Sequence, residues 1–315
     1  MKLKTPTYNW QNYNFGSISL CMIMRDNAKL LPRCLDNLKG LVHEIVIVDT
    51  GSKDNSIEIA RSYGAVVLSD PWQDDFARPR NIGLLKATKE WILIMDPDEV
   101  LLPRDHQKIR WLTREPRFAA WWLTTHNYNP GMADMNFRTI APGTDPLGMY
   151  PGFVPSTKTR FFKNGLGVKF VGCWHELVDW YLLQNKMLIG SSDVVIHHWA
   201  HEIAQADHHA KILFSLKMGE KKVREWPGNG QCWWELAVAE SILGYRERAA
   251  QHIAHAIKLG FAGKEQYFTL ARILRILGDN KKADLSFEKG TCLIYPSLTH
   301  IDPSFRPTQA LIDGM

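Results

Sequence analysis

The chain has 315 residues, and at roughly 150 residues per domain this predicts about two domains with at least one sizeable core. Hydrophobic residues at 45% and charged residues at 23% are ordinary globular values, which exclude a disordered, collagenous or fibrous chain. Lys plus Arg (38) exceed Asp plus Glu (33) by 5 with no block of like charge, so no nucleic-acid tract is evident and the mild basic balance suits phosphate-bearing small molecules.

The opening segment, MKLKTPTYNWQNYNFGS, carries two lysines but no apolar stretch of the secretory kind. Residues 17–24 (SISLCMIM) form a nearly continuous apolar run, as in strands buried on both faces. Residues 28–39 then predict a helix with Leu30, Leu31, Cys34, Leu35 and Leu38 on one stripe. The alternation continues with a strand EIVIVD (44–49), a helix from Asn55 to about Tyr63, a strand AVVL (65–68), a helix over about 78–89 and a strand WILIMD (91–96). This rhythm implies an α/β fold with a mostly parallel sheet and crossover helices, whose ligands bind beyond the carboxyl ends of the strands. From His126 to Thr157 the chain is rich in Gly, Pro, Asn and Met without a period, and a long functional loop is expected. From about Ala204 the pattern is wholly helical and repeats with an offset of 34, the spacing of Gly244 and Gly278. At that offset Trp233 aligns with Tyr267, Leu236 with Leu270, Ala237 with Ala271, Leu243 with Leu277, Ala249 with Ala283 and Ile253 with Phe287. Such a helix-turn-helix period resembles tetratricopeptide repeats. The apolar runs are too short to span a bilayer, and the five scattered cysteines fit reduced thiols, so a cytoplasmic location is expected.

Two strand ends carry acidic motifs. Asp49-Thr50-Gly51-Ser52-Lys53-Asp54 follows EIVIV; an acid there can accept hydrogen bonds from a nucleotide, whereas Asp54 reads as a helix cap. Asp96-Pro97-Asp98-Glu99 follows WILIM, and carboxylates so crowded repel unless a hard cation such as Mg²⁺ or Mn²⁺ sits between them, which in turn can hold a diphosphate. Between them, PWQDDFARPRN (71–81) leads into a helix where Arg80 can reach phosphate; Arg78 reads as a surface arginine outside the site. Further on, Glu176 can act as general base on an acceptor hydroxyl or thiol, with Asp179 the alternative in reach. An imidazole from His197 or His198 can complete a metal site begun by Asp96 and Asp98. His201, His208 and His209 read as solvated surface.

Residues from about Ser17 to Leu101 closely resemble the N-terminal half of family 2 glycosyltransferases with the GT-A fold. The resemblance rests on SLCMIMRDNAKLLPRCLDNLKGLVHEIVIVDTGSKD, PWQDDFARPRNIGLLKAT and WILIMDPDE in that order. It implies that Asp49 contacts the nucleotide base, that Arg80 and Arg25 approach the diphosphate, and that Asp96 and Asp98 form the D-x-D metal motif. Asn81 and Asp75 are further donor-site candidates. RFFKNGLGVKFVGCWHELV looks like the later family segment ending in His-Glu, which makes Glu176 the base of an inverting reaction, and His198 resembles the late histidine that reaches the metal. The helical tail is similar to that of a subgroup including bacteriocin S-glycosyltransferases. Pro97 between the acids, and Arg78-Pro79 before Arg80, depart from the family pattern.

These readings predict a GT-A domain over residues 1–203 and a helical repeat domain over 204–315. The expected activity is metal-dependent transfer of a sugar, with inversion, from a nucleotide sugar, by resemblance a UDP-sugar, to a peptide, glycan or lipid-linked acceptor. Mn²⁺ or Mg²⁺ is the implied cofactor, and the repeats imply a protein partner or a homo-oligomer. The rivals are a nucleotidyltransferase on a similar sheet and a non-catalytic binding protein.

Overall fold

The computed structural model describes residues 14–129, 136–141, 145–199 and 208–293. Four strands open the fold: β1 (Ile18–Met24), β2 (Glu44–Asp49), β3 (Val66–Ser69) and β4 (Trp91–Ile94). Their crossover helices are α1 (Leu31–Leu38), α2 (Ser56–Ser62) and α3 (Ala77–Lys86), so every alternation read from the apolar pattern is present. β2, β1 and β4 are parallel neighbours, with Met24 opposite Asp49. Pairing on both edges and crossover helices leave no wet face for β1 and β4, which is why ISLCMIM and WILI are apolar almost throughout. The same helices close the main core, where Leu31, Cys34, Leu35 and Leu38 of α1 meet Ile18, Leu20 and Met22 of β1.

Beyond β4 come β5 (Glu99–Leu101), α4 (Pro103–Leu112), β6 (Ala120–Tyr128), β7 (Arg138–Thr139), β8 (Gly152–Lys163), α5 (Asp179–Gln184) and β9 (Ile189–His198). The sheet order is β3-β2-β1-β4-β8-β6-β9-β5, with β7 on β8, so the parallel half gives way to a mixed half. β8 runs antiparallel to both β4 and β6, and β9 lies parallel to β6. The loop expected over 126–157 is shorter than predicted: its first three residues finish β6 and its last six open β8, with Tyr128 opposite Phe153. His126 stacks on Phe153 at 3.6 Å between centroids, and Tyr128 lies face-on to Trp199 at 5.3 Å. These aromatic partners are distant in sequence, so the Gly, Pro and Asn around them hid the strands.

The chain forms a second compact unit from the helices beyond Trp199 together with two short excursions, Gln73–Ala77 and Val171–Glu176. Its helices are α6 (His208–Glu225), α7 (Gly230–Ile242), α8 (Arg246–Lys258), α9 (Lys264–Ile276) and α10 (Asn280–Cys292). α9 and α10 begin 34 residues after α7 and α8, and Gly244 and Gly278 share a left-handed φ of 84°, which glycine adopts freely in the turn within each pair. Ala237, Ala249, Ile253, Leu270 and Ile273 form the core of this unit. Trp234 packs against that core, whereas Trp233 lies against the rings of His252 and His255. Phe287, the repeat mate of Ile253, is exposed. Cys21, Cys34, Cys173 and Cys232 are buried and free. Among the described residues no helix is long and apolar enough to cross a membrane.

Candidate active site

The carboxyl end of β4 turns at once. The Glu99 N–H donates to Asp96 O at 3.0 Å, closing a β-turn with Pro97 at its second position, where proline's fixed φ is favoured. The departure at Pro97 therefore suits the turn, which has Asp96 at its first position and Asp98 at its third. Pro79 is equally well placed, in the first turn of α3, where its missing N–H costs no helical bond.

Asp96 is gripped by two arginines. Arg80 Nη2 donates to its Oδ1 at 2.8 Å and Arg160 Nη1 lies 3.6 Å from its Oδ2, while its backbone N–H donates to Glu99 at 2.8 Å. Burial raises the carboxyl's pKa, but the two guanidiniums outweigh it and hold the group well below the usual range. Glu99 is 2% exposed and forms a bidentate pair with Arg160 at 2.8 and 3.2 Å, and burial pushes its pKa up. Neither Glu99 nor Arg160 stands among the predicted site residues. The signal for Arg160 was present: an arginine directly before FFK in a buried strand needs an acidic partner.

Asp98 faces His198, with Nε2 3.2 Å from Oδ2. Register brings them together, since β5 pairs Glu99 with His198 and β6 pairs Asn127 with His198. The Asn127 amide nitrogen donates to Val154 O at 2.9 Å and Ser156 Oγ at 3.0 Å, which turns its Oδ1 toward His198 Nδ1 at 2.8 Å. Nδ1 is therefore the donor, and Nε2 presents its lone pair to a carboxylate unless a cation lies between. Burial lowers the His198 pKa, but the Asp98 hydrogen bond and nearby carboxylates lift it above its ordinary value. A proton or a divalent ion satisfies this pair equally, so the donor set fits the metal that the sequence implied. Among the described residues no group of three or more His, Cys, Asp or Glu side chains is gathered to hold a metal alone, so Asp96, taken by Arg80 and Arg160, is not placed as the third ligand expected beside Asp98 and His198. Two protein donors suffice for Mg²⁺, which keeps waters and takes substrate phosphates.

The other predicted residues are placed as follows. Asp49 is 3% exposed; its Oδ2 accepts the N–H of Gly51 at 3.0 Å and of Ser52 at 3.1 Å, and Oδ1 accepts the Ser52 hydroxyl. Gly51, at φ 110°, allows that turn. Arg25 is half-exposed at the end of β1, with Nε 3.7 Å from Asp26. Asp54 accepts the Ser56 N–H at 3.0 Å from one residue before the cap position of α2, which is Asn55, so the cap read at Asp54 is displaced by one residue. Asn81 is committed to backbone: its amide donates to Phe170 O at 3.0 Å and accepts the Phe170 N–H at 2.8 Å. Arg78 is paired bidentately with Asp70 at 2.9 and 3.1 Å. Asp179 is buried and accepts Trp122 Nε1 at 2.7 Å and Thr159 Oγ1 at 2.6 Å, a structural tie. His197 is buried, accepts or donates to the Tyr128 hydroxyl at 2.8 Å, and points away from the Asp98 pair. Thus Arg80, Asp96, Asp98 and His198 gather around one turn, joined by Glu99 and Arg160, while Asp75 and Glu176 belong to the helical unit. His201 lies outside the described residues.

Comparison with known proteins matches residues 19–164 to the family described as Glycosyl transferase family 2. A TPR repeat-containing protein of Synechococcus elongatus is 35% identical over 53% of this chain and 37% of its own length. The SPbeta prophage-derived glycosyltransferase SunS of Bacillus subtilis is 24% identical over 82% of this chain and 57% of its own length. The chain thus spans about half the length of these relatives or less. Among solved structures, S. aureus TarS in complex with UDP-GlcNAc is 13% identical with a TM-score of 0.48, covering 91% of this chain and 95% of that one. The mannosyltransferase PcManGT of Pyrobaculum calidifontis, with GDP-Man and Mn²⁺, is 16% identical with a TM-score of 0.44, covering 89% and 88%. The match to the Glycosyl transferase family 2 model thus runs over the stretch from β1 to β8 and includes the acidic turn.

Proposed function

We propose that this protein is a metal-dependent, inverting glycosyltransferase that moves a sugar from a UDP-sugar to a peptide, glycan or lipid-linked acceptor. The observation that carries the reading is the Asp98–His198 pair, oriented by Asn127 next to the Arg80–Asp96 pair, with Asp98, Asn127, Arg80 and Asp96 inside the stretch that matches the family 2 model. Asp98 and His198 are the residues that would hold Mg²⁺ or Mn²⁺, which when bound offsets charge on the leaving diphosphate. Arg80 and Arg25 bind phosphate oxygens, and Asp49 spends its remaining lone pair on the nucleotide base while its turn fixes the loop. Asp75 is a further donor-site contact. Glu176 takes the proton of the acceptor as the acceptor's oxygen or sulfur bonds to the anomeric carbon from the face opposite the leaving group, and the bond to UDP breaks with its electron pair leaving on UDP.

The domains divide the chain at residues 1–203 and 204–315 except for the segments Gln73–Ala77 and Val171–Glu176, which cluster with the helices, and the tetratricopeptide-like helices are a surface for an extended partner or a second copy, in a cytoplasmic enzyme. The test is incubation of the purified chain with UDP-, GDP- and TDP-sugars and Mn²⁺, with nucleotide release and thermal shift as readouts. Release of UDP and a metal-dependent shift with UDP-sugars are the expected results. Pyrophosphate release from a nucleoside triphosphate would turn the reading to nucleotidyl transfer, and neither release nor shift with any donor would overturn it.

A further inference from the structure

Two short segments of the chain cluster with the helical unit, and both carry a non-glycine residue in the left-handed backbone region: Asp74 at φ 55° and His175 at φ 53°. Each is tied to helices of that unit by charge. Lys217 Nζ on α6 donates to Asp74 Oδ2 at 2.6 Å, and Lys221 Nζ donates to the Asp74 carbonyl at 2.7 Å. His175 Nδ1 lies 3.3 Å from Glu235 Oε1 on α7. Glu235 is itself fixed, accepting Lys222 Nζ at 2.7 Å and Gln231 Nε2 at 2.9 Å. Burial raises the Glu235 pKa, but His175 and Lys222 more than offset that and pull it to about 2, so it is a carboxylate at any working pH. The two segments are also bonded to each other, Phe76 N–H to Cys173 O at 2.9 Å, and Phe76 lies edge-on to Phe214 of α6 at 6.3 Å.

His175 holds a left-handed conformation, one that residues other than Gly enter at a cost and that Asn, Asp and His enter most readily, while its half-exposed ring lies 4.0 Å from that of Trp174. Its ring nitrogen is held by the carboxylate of α7. The next residue along the chain is Glu176, which leaves the left-handed turn at His175 directly. We infer that Glu235, held by Lys222, is a positioning residue for catalysis: through His175 it sets the backbone that carries Glu176. The inference rests on the reading of Glu176 as base.

The experiment measures UDP release from UDP-glucose and UDP-N-acetylglucosamine with Mn²⁺ by the full-length chain. His175→Ala and Glu235→Gln are expected to lower kcat about tenfold while the donor KM stays within about twofold, because aim and not binding is lost. His175→Asn, which tolerates the left-handed region and keeps a donor for Glu235, should return kcat to within about threefold of wild type. A merely structural tie would change the melting temperature and soluble yield but not kcat per folded molecule. If Glu235→Gln does not fold, His175→Ala at its half-exposed position decides. Wild-type kcat in His175→Ala, with Glu176→Gln inactive, overturns the positioning role and leaves the base in place. Wild-type turnover in Glu176→Gln, or no UDP release by the wild type, overturns the base reading and this inference with it.

Discussion

With its Nδ1 committed to Asn127, His198 aims Nε2 at Asp98, and the two acceptors need a proton or a cation between them. Asp98→Ala should therefore lower UDP release by about 10²-fold or more and abolish the metal-dependent part of the thermal shift, since one hard ligand of a two-residue set is gone. Unchanged turnover with metal still required would remove Asp98 from the site. Asp179→Asn tests the rival base from the other side. Its carboxylate accepts from Trp122 and Thr159 in the interior, and Asn keeps an acceptor oxygen there without the charge, so the weakened bonds should cost about 1–3 kcal/mol in urea unfolding and leave kcat per folded molecule unchanged. At this scale the acids were legible because a D-x-D directly after a buried strand has only the sheet edge to occupy. Arg160 was not, since its partners Asp96 and Glu99 lie about sixty residues away and only strand register joins them. Asn127 escaped for the same reason, being aligned with His198 by the β6–β9 pairing.

Between elements, the contact of α4 with α1 carries a titratable group. His106 is buried on α4 and its Nε2 lies 2.8 Å from Asn37 O at the end of α1. Burial lowers its pKa below 6.5, and the nearby Arg110 adds to this, while the Asn37 carbonyl and Asp105 oppose it. The folded chain therefore binds fewer protons than the unfolded one below about pH 6.5, so this contact's stability is complete above that pH and is lost as pH falls toward the folded pKa. His106→Gln should flatten that part of the profile, read as urea midpoints at pH 7 and 5.5; an unaltered slope would assign it to other groups. Helices α1 to α3 and strands β1 to β4 were legible because local period decides them. The strand ends over 126–128 and 152–157 were not, because their pairing with each other and the stack of His126 on Phe153 decide them, and neither is a local property.

For the molecule as a whole, the 34-residue offset was legible because identical turns need glycine at identical places, as Gly244 and Gly278 show. The capture of Gln73–Ala77 and Val171–Glu176 by the helical unit was not, since it depends on single charges such as Lys217 and Glu235 on otherwise ordinary helices. Truncation after residue 203 removes those partners, so the shortened chain should show lower soluble yield and a turnover reduced by about tenfold, as when a base loses its support. UDP release and light scattering check this. A truncated chain that is soluble, keeps the full-length association state and works at the full rate would limit the tail to other roles.

The buried thiols give each unit its own chemical witness. Burial pushes Cys21, Cys173 and Cys232 up to about 12 and Cys34 well above its usual value, so almost no thiolate exists to attack an aromatic disulfide reagent while the fold is closed. Cys21 and Cys34 lie in the sheet unit, Cys173 and Cys232 in the helical one. Labelling of the first two therefore times the opening of the sheet core, and labelling of Cys232 that of the helices. Cys173, inside the Val171–Glu176 segment, registers release of that segment alone. In His175→Ala, faster modification of Cys173 with Cys232 still silent would be the kinetic trace of a clamp that has let go.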